Sequence, residues 1–316
     1  MKRKLRIVFM GTPEFAVATL KRLVDEGYDI AGVITAPDRP AGRGQKLQKS
    51  DVKVFAETNG LKLLQPTNLK DEGFLNELKN LKANLQIVVA FRMLPRAVWE
   101  MPEFGTFNLH ASLLPDYRGA APINWAIING ESKTGATTFF IDDKIDTGEI
   151  ILQDEIAIKD HETVGQLHDK LMDLGSKLVL KTVNMIEEGE VTTTPQSNSE
   201  IEKSANKLNK ENTKIDWTSS MEDIYNKIRG LNPYPAAWSY FENNGKKETV
   251  KLFEVDKEEK HHTDPIGKIS IKDNSIYVSV KNGYVILKEI QLPGKRKMTT
   301  KSLLNGYDIE IDAKML

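Results

Sequence analysis

Short apolar runs and amphipathic stretches alternate through the first half of the chain. Leu5 to Met10 reads as a buried strand, and Gly11-Thr12-Pro13 after it as a helix start, with Thr12 as N-cap and Pro13 at the first helical position. Phe15, Leu20 and Leu23 fall on one helical stripe that runs up to Gly27. Ile30 to Ile34 is a second strand, and the spacing predicts helices over Ser50–Asn59 and Asn68–Leu81. Leu85 to Phe91 is a continuous apolar run of the kind buried on both faces. Phe107 to His110 and Thr138 to Ile141 follow as further strands. Strand–helix alternation predicts the α/β class, a doubly wound, mostly parallel sheet covered by helices. Sites in such sheets lie at the carboxyl ends of strands.

The texture then changes. Thr163 to Glu190 is a long amphipathic helix, with Leu167, Leu171, Leu174, Leu178 and Ile186 at helical spacing. Thr192 to Asn212 is polar and reads as a linker. Asp223 to Arg229 is a short helix. Beyond Pro233-Tyr234-Pro235 come short alternating segments, Val250–Val255, Gly267–Ile271, Ser275–Val280 and Tyr284–Ile290, with turns such as Asn282-Gly283. Evenly spaced short strands predict a small β-barrel. The expected organisation is a domain over residues 1–190, a linker over 191–208 and a second domain over 209–316.

Composition narrows the function. The 316 residues hold 44 Lys and Arg against 45 Asp and Glu, a net charge of −1, which excludes a uniformly basic nucleic-acid coat but not a local basic patch. There is no cysteine, so disulfides, thiolate metal sites and a cysteine nucleophile are excluded. No apolar run approaches the roughly 18 residues of a membrane helix. The apolar run after Met1-Lys2-Arg3-Lys4 is too short for a signal peptide, so a cytoplasmic, soluble protein is expected. Gly11-Thr12-Pro13 lacks the three-glycine dinucleotide fingerprint. His161, His168, His261 and His262 read as surface residues, and Trp99, Trp125, Trp217 and Trp238 as packing residues.

Candidate chemistry concentrates in Asn108-Leu109-His110-Ala111-Ser112-Leu113-Leu114-Pro115 and in Asp142 to Gly148. Asn108 and His110 are two apart on a strand, so they share a face. An amide and an imidazole side by side can bind a developing oxyanion and move a proton. The polar loop Asp142 to Gly148 offers a carboxylate that could orient the imidazole.

These strings, together with Arg118-Gly119-Ala120-Ala121-Pro122 and Asp146-Thr147-Gly148, resemble the formyltransferase family that uses 10-formyltetrahydrofolate. The resemblance implies Asn108, His110 and Asp146 as the catalytic trio. It implies Ser112, Leu113, Leu114 and Pro115 as the folate-contacting turn, with the folate as formyl donor and no metal. Gly11 to Ala16, Pro37 to Gly44, Asp216-Trp217 and Arg229 to Pro235 are similar to the branch of that family that formylates the α-amino group of methionine on charged initiator tRNA. That likeness implies a Rossmann-like catalytic domain and a C-terminal barrel of the oligonucleotide-binding (OB) type that holds tRNA. One departure stands out. Where the family continues Ala-Tyr-Gly after the buried strand, this chain has Ala90-Phe91-Arg92, which puts an arginine beside the expected folate pocket.

In the implied reaction the free amine attacks the formyl carbon. Asn108 and His110 stabilise the oxyanion, Asp146 holds the imidazole, and His110, Asp146 or a water relays protons. For tRNA, the loop over residues 36–53 carries Arg39, Arg43, Lys46, Lys49 and Lys53 against Asp38 and Asp51, a net +3. Lys295-Arg296-Lys297 forms a second basic cluster, and nothing in the sequence calls for an oligomer, so a monomer is expected. The rival readings are a formyltransferase of an amino sugar nucleotide or glycinamide ribonucleotide, and a non-catalytic RNA-binding protein with a worn folate pocket.

Overall fold

The computed structural model describes residues 2–41, 46–197 and 203–316. Residues 2–197 contribute β1 (Arg6–Gly11), α1 (Glu14–Asp25), β2 (Asp29–Ile34), β3 (Arg39–Ala41), β4 (Lys46–Gln48), α2 (Asp51–Thr58), β5 (Leu63–Leu64), α3 (Glu72–Asn80) and β6 (Leu85–Val89). They continue with α4 (Arg96–Trp99), β7 (Thr106–His110), β8 (Arg118–Gly119), α5 (Pro122–Ile128), β9 (Lys133–Phe140), β10 (Ile150–Ala157) and α6 (Val164–Glu188).

Seven of these strands form one sheet in the order β10-β9-β7-β6-β1-β2-β5. The pairs β5–β2, β2–β1, β1–β6 and β6–β7 are parallel, and β9 joins β7 antiparallel. The expected mostly parallel sheet is therefore present, with an antiparallel flank. All five residues of β6 are buried, as its unbroken apolar run requires of a strand covered on both faces. Val8, Met10, Ile34 and Val88 pack with Phe74, Leu78 and Leu81 from α3 and its C-cap in one buried cluster.

Local signals set several boundaries. Ser50 caps α2, its hydroxyl accepting from the Lys53 N–H at 3.1 Å. Thr12 does not cap α1. Pro13 occupies the N-cap position with extended backbone and no side-chain cap. The helix expected from Asn68 begins instead at Glu72, capped by Asp71, because the Asn68 side chain accepts from the Lys70 N–H at 3.0 Å and forms a turn. β6 stops two residues short of Phe91, where Ala90 turns the chain with φ +49°.

The remaining described residues form β11 (Ser204–Ala205), α7 (Met221–Arg229), β12 (Ala237–Asn243), β13 (Lys246–Glu259), β14 (Ile269–Lys272), β15 (Ser275–Val280), β16 (Gly283–Gln291), β17 (Met298–Thr299), α8 (Thr300–Leu304) and β18 (Lys314–Met315). The antiparallel sheet runs β14-β15-β16-β13-β12-β18, with β17 on β16. Its ends curl together. Ile269 N–H donates to the Ala313 carbonyl at 3.0 Å, and Met315 N–H to the Gly267 carbonyl at 2.8 Å. Gly267 has φ +82°, and a Cβ there would lie 2.4 Å from the Met315 oxygen, so closure at this point requires glycine. Val250, Leu252, Val278, Val285 and Leu287 fill the interior with Ile224 and Ile228 of α7. This is the expected OB-like barrel.

Two compact units result: residues 1–119, 134–156 and 168–204, and residues 120–133, 157–167 and 205–316. The second unit recruits two stretches from early in the chain. Buried Arg229 donates to the carbonyls of Lys159 and Glu162 at 3.3 and 3.0 Å, and Asn124 donates to that of Gly230 at 2.8 Å. His161 is exposed, as read from sequence, and its Nδ1 lies 2.7 Å from the Tyr225 hydroxyl. His262, read from sequence as a surface residue, is instead half-buried, with Nε2 2.8 Å from the Val280 carbonyl. Among the described residues no helix is long and apolar enough to cross a membrane.

Candidate active site

The carboxyl end of β7 gathers most of the candidate residues. Strand alternation places Asn108 and His110 on one face, the face that Val88 and Met10 share through the parallel register. Asn108 is half-buried, and its amide has no hydrogen-bond partner among the described residues. His110 is buried. Its Nε2 lies 2.8 Å from the Tyr117 carbonyl oxygen, which can only accept, so the proton of the neutral ring sits on Nε2. Nδ1 is then the only ring atom left for proton uptake. It faces the Asp146 carboxylate, 3.8 Å from Oδ2, within ion-pair range but longer than a hydrogen bond.

Asp146 is held from three sides. Its Oδ2 accepts from the Gly119 N–H at 3.0 Å. Its carbonyl accepts from Arg118 Nε at 3.0 Å and Gln196 Nε2 at 2.9 Å. Gln196 Nε2 also reaches the Gly148 carbonyl at 2.8 Å, and its Oε1 accepts from Arg118 Nη2 at 2.7 Å. Asp146 itself has φ +55°, a conformation that aspartate tolerates better than most residues. Gly148 lets the loop press against β9, since a Cβ there would lie 1.7 Å from the Phe140 oxygen.

The turn after β7 is braced from within. Thr137 Oγ1 donates to the Ser112 carbonyl at 2.6 Å and accepts from the Leu114 N–H at 3.1 Å. Gln153 Nε2 donates to Thr137 Oγ1 at 3.0 Å and to the Leu114 carbonyl at 2.9 Å. Ser112 and Leu114 are buried, whereas Leu113 and Pro115 are half-buried. Ser112 Oγ donates to the Asp116 carbonyl at 2.7 Å.

The basic segment near β3 and β4 is only partly free. Arg39 is exposed and has no ion pair among the described residues. Lys49 pairs with Glu57 at 2.7 Å and Lys53 with Asp38 at 2.7 Å, so two of the counted charges are locally neutralised. Arg43 lies outside the described residues, and Lys46 lies on β4. In the second unit Lys295, Arg296 and Lys297 are all exposed, with Lys297 paired to Glu289 at 2.6 Å. Arg92 turns its guanidinium onto the backbone carbonyls of Pro66 and Thr67.

Of the residues singled out from sequence, the structure sets His110 Nδ1 3.8 Å from Asp146 and places Asn108 on the same face of β7 as His110. Sequence reasoning missed Gln196, Thr137 and Gln153. Thr137 carried a faint signal as a hydroxyl inside an apolar strand. Gln196 carried none.

Residues 5–183 match the formyl transferase family and residues 207–308 match its C-terminal domain. The chain belongs to the formyltransferase family. Its curated relatives include methionyl-tRNA formyltransferase of Flavobacterium johnsoniae, 59% identical over 312 residues that cover 99% of both chains. Methionyl-tRNA formyltransferase of Bacteroides fragilis is 52% identical over 319 residues, covering 99% of this chain and 98% of that one. Among solved structures, HypX from Aquifex aeolicus in complex with tetrahydrofolic acid aligns with a TM-score of 0.65 at 18% identity, over 96% of this chain and 47% of that one. An N-formyltransferase from Helicobacter canadensis, in complex with folinic acid and dTDP-3-aminofucose, aligns with a TM-score of 0.64 at 20% identity, over 90% and 98%. At these identities the likeness to the solved structures extends to the fold.

Proposed function

We propose that the protein transfers the formyl group of 10-formyltetrahydrofolate to the α-amino group of methionyl initiator tRNA, giving N-formylmethionyl-tRNA for translation initiation. The near-complete alignment with methionyl-tRNA formyltransferases at 59% identity supports the substrate. The observation that carries the chemistry is His110 Nδ1 facing Asp146, with an Asn108 amide on the same strand face that has no hydrogen-bond partner among the described residues.

The neutral amine attacks the formyl carbon and a tetrahedral intermediate forms. Asn108 donates its amide N–H to the new oxyanion, a contribution of about 10²–10³ in rate for one such donor. The amine loses one proton and the folate N10 gains one as its bond to carbon breaks. His110 Nδ1 is the group that takes and returns that proton, with Asp146 as counter-charge while the ring is cationic. Leu113 and Pro115, the less buried members of the braced turn, meet the folate, while Ser112 and Leu114 hold the turn's shape. Arg39, Arg43 and Lys46, with Lys295, Arg296 and Lys297, contact tRNA phosphates. The catalytic residues belong to the first unit and the OB-like barrel to a tRNA-binding second unit. The protein works as a cytoplasmic monomer.

The test is formyl transfer from 10-formyltetrahydrofolate to methionine-charged initiator tRNA, with a charged elongator tRNA and an amino sugar nucleotide run alongside. Transfer to the initiator alone is expected. Transfer to the sugar alone would keep the site and reject the tRNA substrate. Transfer to none of them would reject the enzymatic reading.

A further inference from the structure

Arg92, the arginine that follows the buried strand, has a position in the fold that gives it a task. It follows β6, whose Val89 pairs with Leu109 of β7, one residue before His110. From there Nη1 donates to the Thr67 carbonyl at 2.9 Å and Nη2 donates to the Pro66 carbonyl. The preceding residue, Gln65, sits in a closed polar triangle. Its Nε2 donates to Asp38 Oδ1 and to the Ala36 carbonyl, each at 2.9 Å. Its Oε1 accepts from Lys53 Nζ at 2.8 Å, and Lys53 Nζ also reaches Asp38 Oδ2 at 2.7 Å. The Lys53 and Asp38 side chains are only 12% and 22% exposed.

Asp38 immediately precedes β3, and Lys53 lies in the first turn of α2, which follows β4. The triangle therefore closes the base of the β3–β4 pair. Gln65, Pro66 and Thr67 are three consecutive residues, gripped at one end by the triangle and at the other by Arg92.

We propose that Gln65-Pro66-Thr67 is a strap that ties the end of β6, beside the catalytic strand, to the base of the β3–β4 pair. Gln65, Lys53, Asp38 and Arg92 then act as positioning residues for tRNA. The inference rests on the reading that the basic β3–β4 segment contacts tRNA.

The charge balance fits this role. Lys53 is neutralised by Asp38, and two of the donors of Arg92 are occupied by carbonyls, so neither is set up to grip phosphate. Burial, and then the nearby Arg39 guanidinium, press the Arg92 pKa below its ordinary value. An anion bound at Arg39 would relieve that repulsion, so phosphate binding and a closed strap favour each other.

The test is steady-state formyl transfer with both substrates varied. Gln65→Leu and Lys53→Met are expected to raise the KM for charged tRNA about tenfold, the scale of one charge-assisted hydrogen bond. They should leave kcat at saturating tRNA and the KM for 10-formyltetrahydrofolate within about twofold. Amide exchange over residues 46–48 should quicken in both. Exchanging the pair, Asp38→Lys with Lys53→Asp, should recover most of the tRNA KM, which a merely misfolded variant would not do. Arg92→Ala should match Gln65→Leu, and the double variant should be no worse than the worse single, because both cut the same strap. Effects of Arg92→Ala and Gln65→Leu that multiply would overturn the strap. Arg39→Ala separates the two levels. If it leaves the tRNA KM unchanged, the tRNA reading of this segment fails. If it raises the KM while the Gln65 and Lys53 variants do not, only the strap fails.

Discussion

The His110 imidazole is tied through Nε2 to the Tyr117 carbonyl at 2.8 Å, which leaves Nδ1 as the one ring atom able to exchange a proton. A histidine is usually free to choose its tautomer, and here the backbone has chosen it. The turn after β7 therefore does more than reverse the chain, because its carbonyl orients the ring with Nδ1 towards Asp146. Nitrogen NMR of histidine-labelled protein is expected to show the Nε2–H tautomer for the neutral ring of His110. A neutral ring protonated at Nδ1 would contradict the arrangement.

Thr137 is the hub that braces the turn after β7. Thr137→Val leaves the Ser112 carbonyl, the Leu114 N–H and one donor of Gln153 without their shared partner. The expected cost is about 2 kcal/mol of stability, with a raised KM for 10-formyltetrahydrofolate. Thr137→Ser keeps the hydroxyl and should restore the KM. Denaturant unfolding together with substrate titration checks both halves.

Gly148 admits no side chain, because a Cβ would strike the Phe140 backbone oxygen, which cannot swing aside. Gly148→Ala is expected to destabilise by roughly 2–3 kcal/mol and to lower kcat by displacing Asp146. A variant with wild-type melting temperature and turnover would show that the loop does not press on β9.

Electrostatic binding of tRNA should weaken steeply with salt. Arg39 is exposed without an ion pair among the described residues, so Arg39→Ala should reduce the log–log salt slope by about one. Lys297→Ala should change it less, since that ammonium already faces Glu289 at 2.6 Å. Equal slopes for all three proteins would contradict phosphate contact at Arg39.

The Asp38 carboxyl is held below its ordinary range by hydrogen bonds from Lys53 and Gln65. Its folded-state pKa is depressed, so the contribution is present above the unfolded value, near 4, and is lost as pH falls towards the folded value. Wild type and Lys53→Met should thus differ in unfolding free energy at neutral pH and converge below about pH 4. A gap that stays constant down to pH 3 would separate the Lys53 effect from Asp38.

Where local physics decides, the sequence was informative. Alternation along a strand put Asn108 and His110 on one face, and the serine before α2 marked its start. Thr12 misled because Pro13 itself takes the cap position. Gln196 was illegible, since it sits in a polar stretch with linker composition and its partners Asp146, Gly148 and Arg118 lie 50, 48 and 78 residues away. The recruitment of residues 120–133 and 157–167 into the second unit was illegible for the same reason. It depends on Asn124 and Arg229 finding carbonyls far along the chain, 106 residues away for Asn124.

The most direct measurement is single-turnover formyl transfer by Asp146→Asn against wild type, with 10-formyltetrahydrofolate and methionine-charged initiator tRNA both saturating. Asparagine keeps the size of the side chain and an acceptor for the Gly119 N–H, and removes only the charge facing Nδ1. The chemical step is expected to slow about 100-fold or more while both dissociation constants hold. A chemical step at the wild-type rate would contradict the His110–Asp146 account of the reaction.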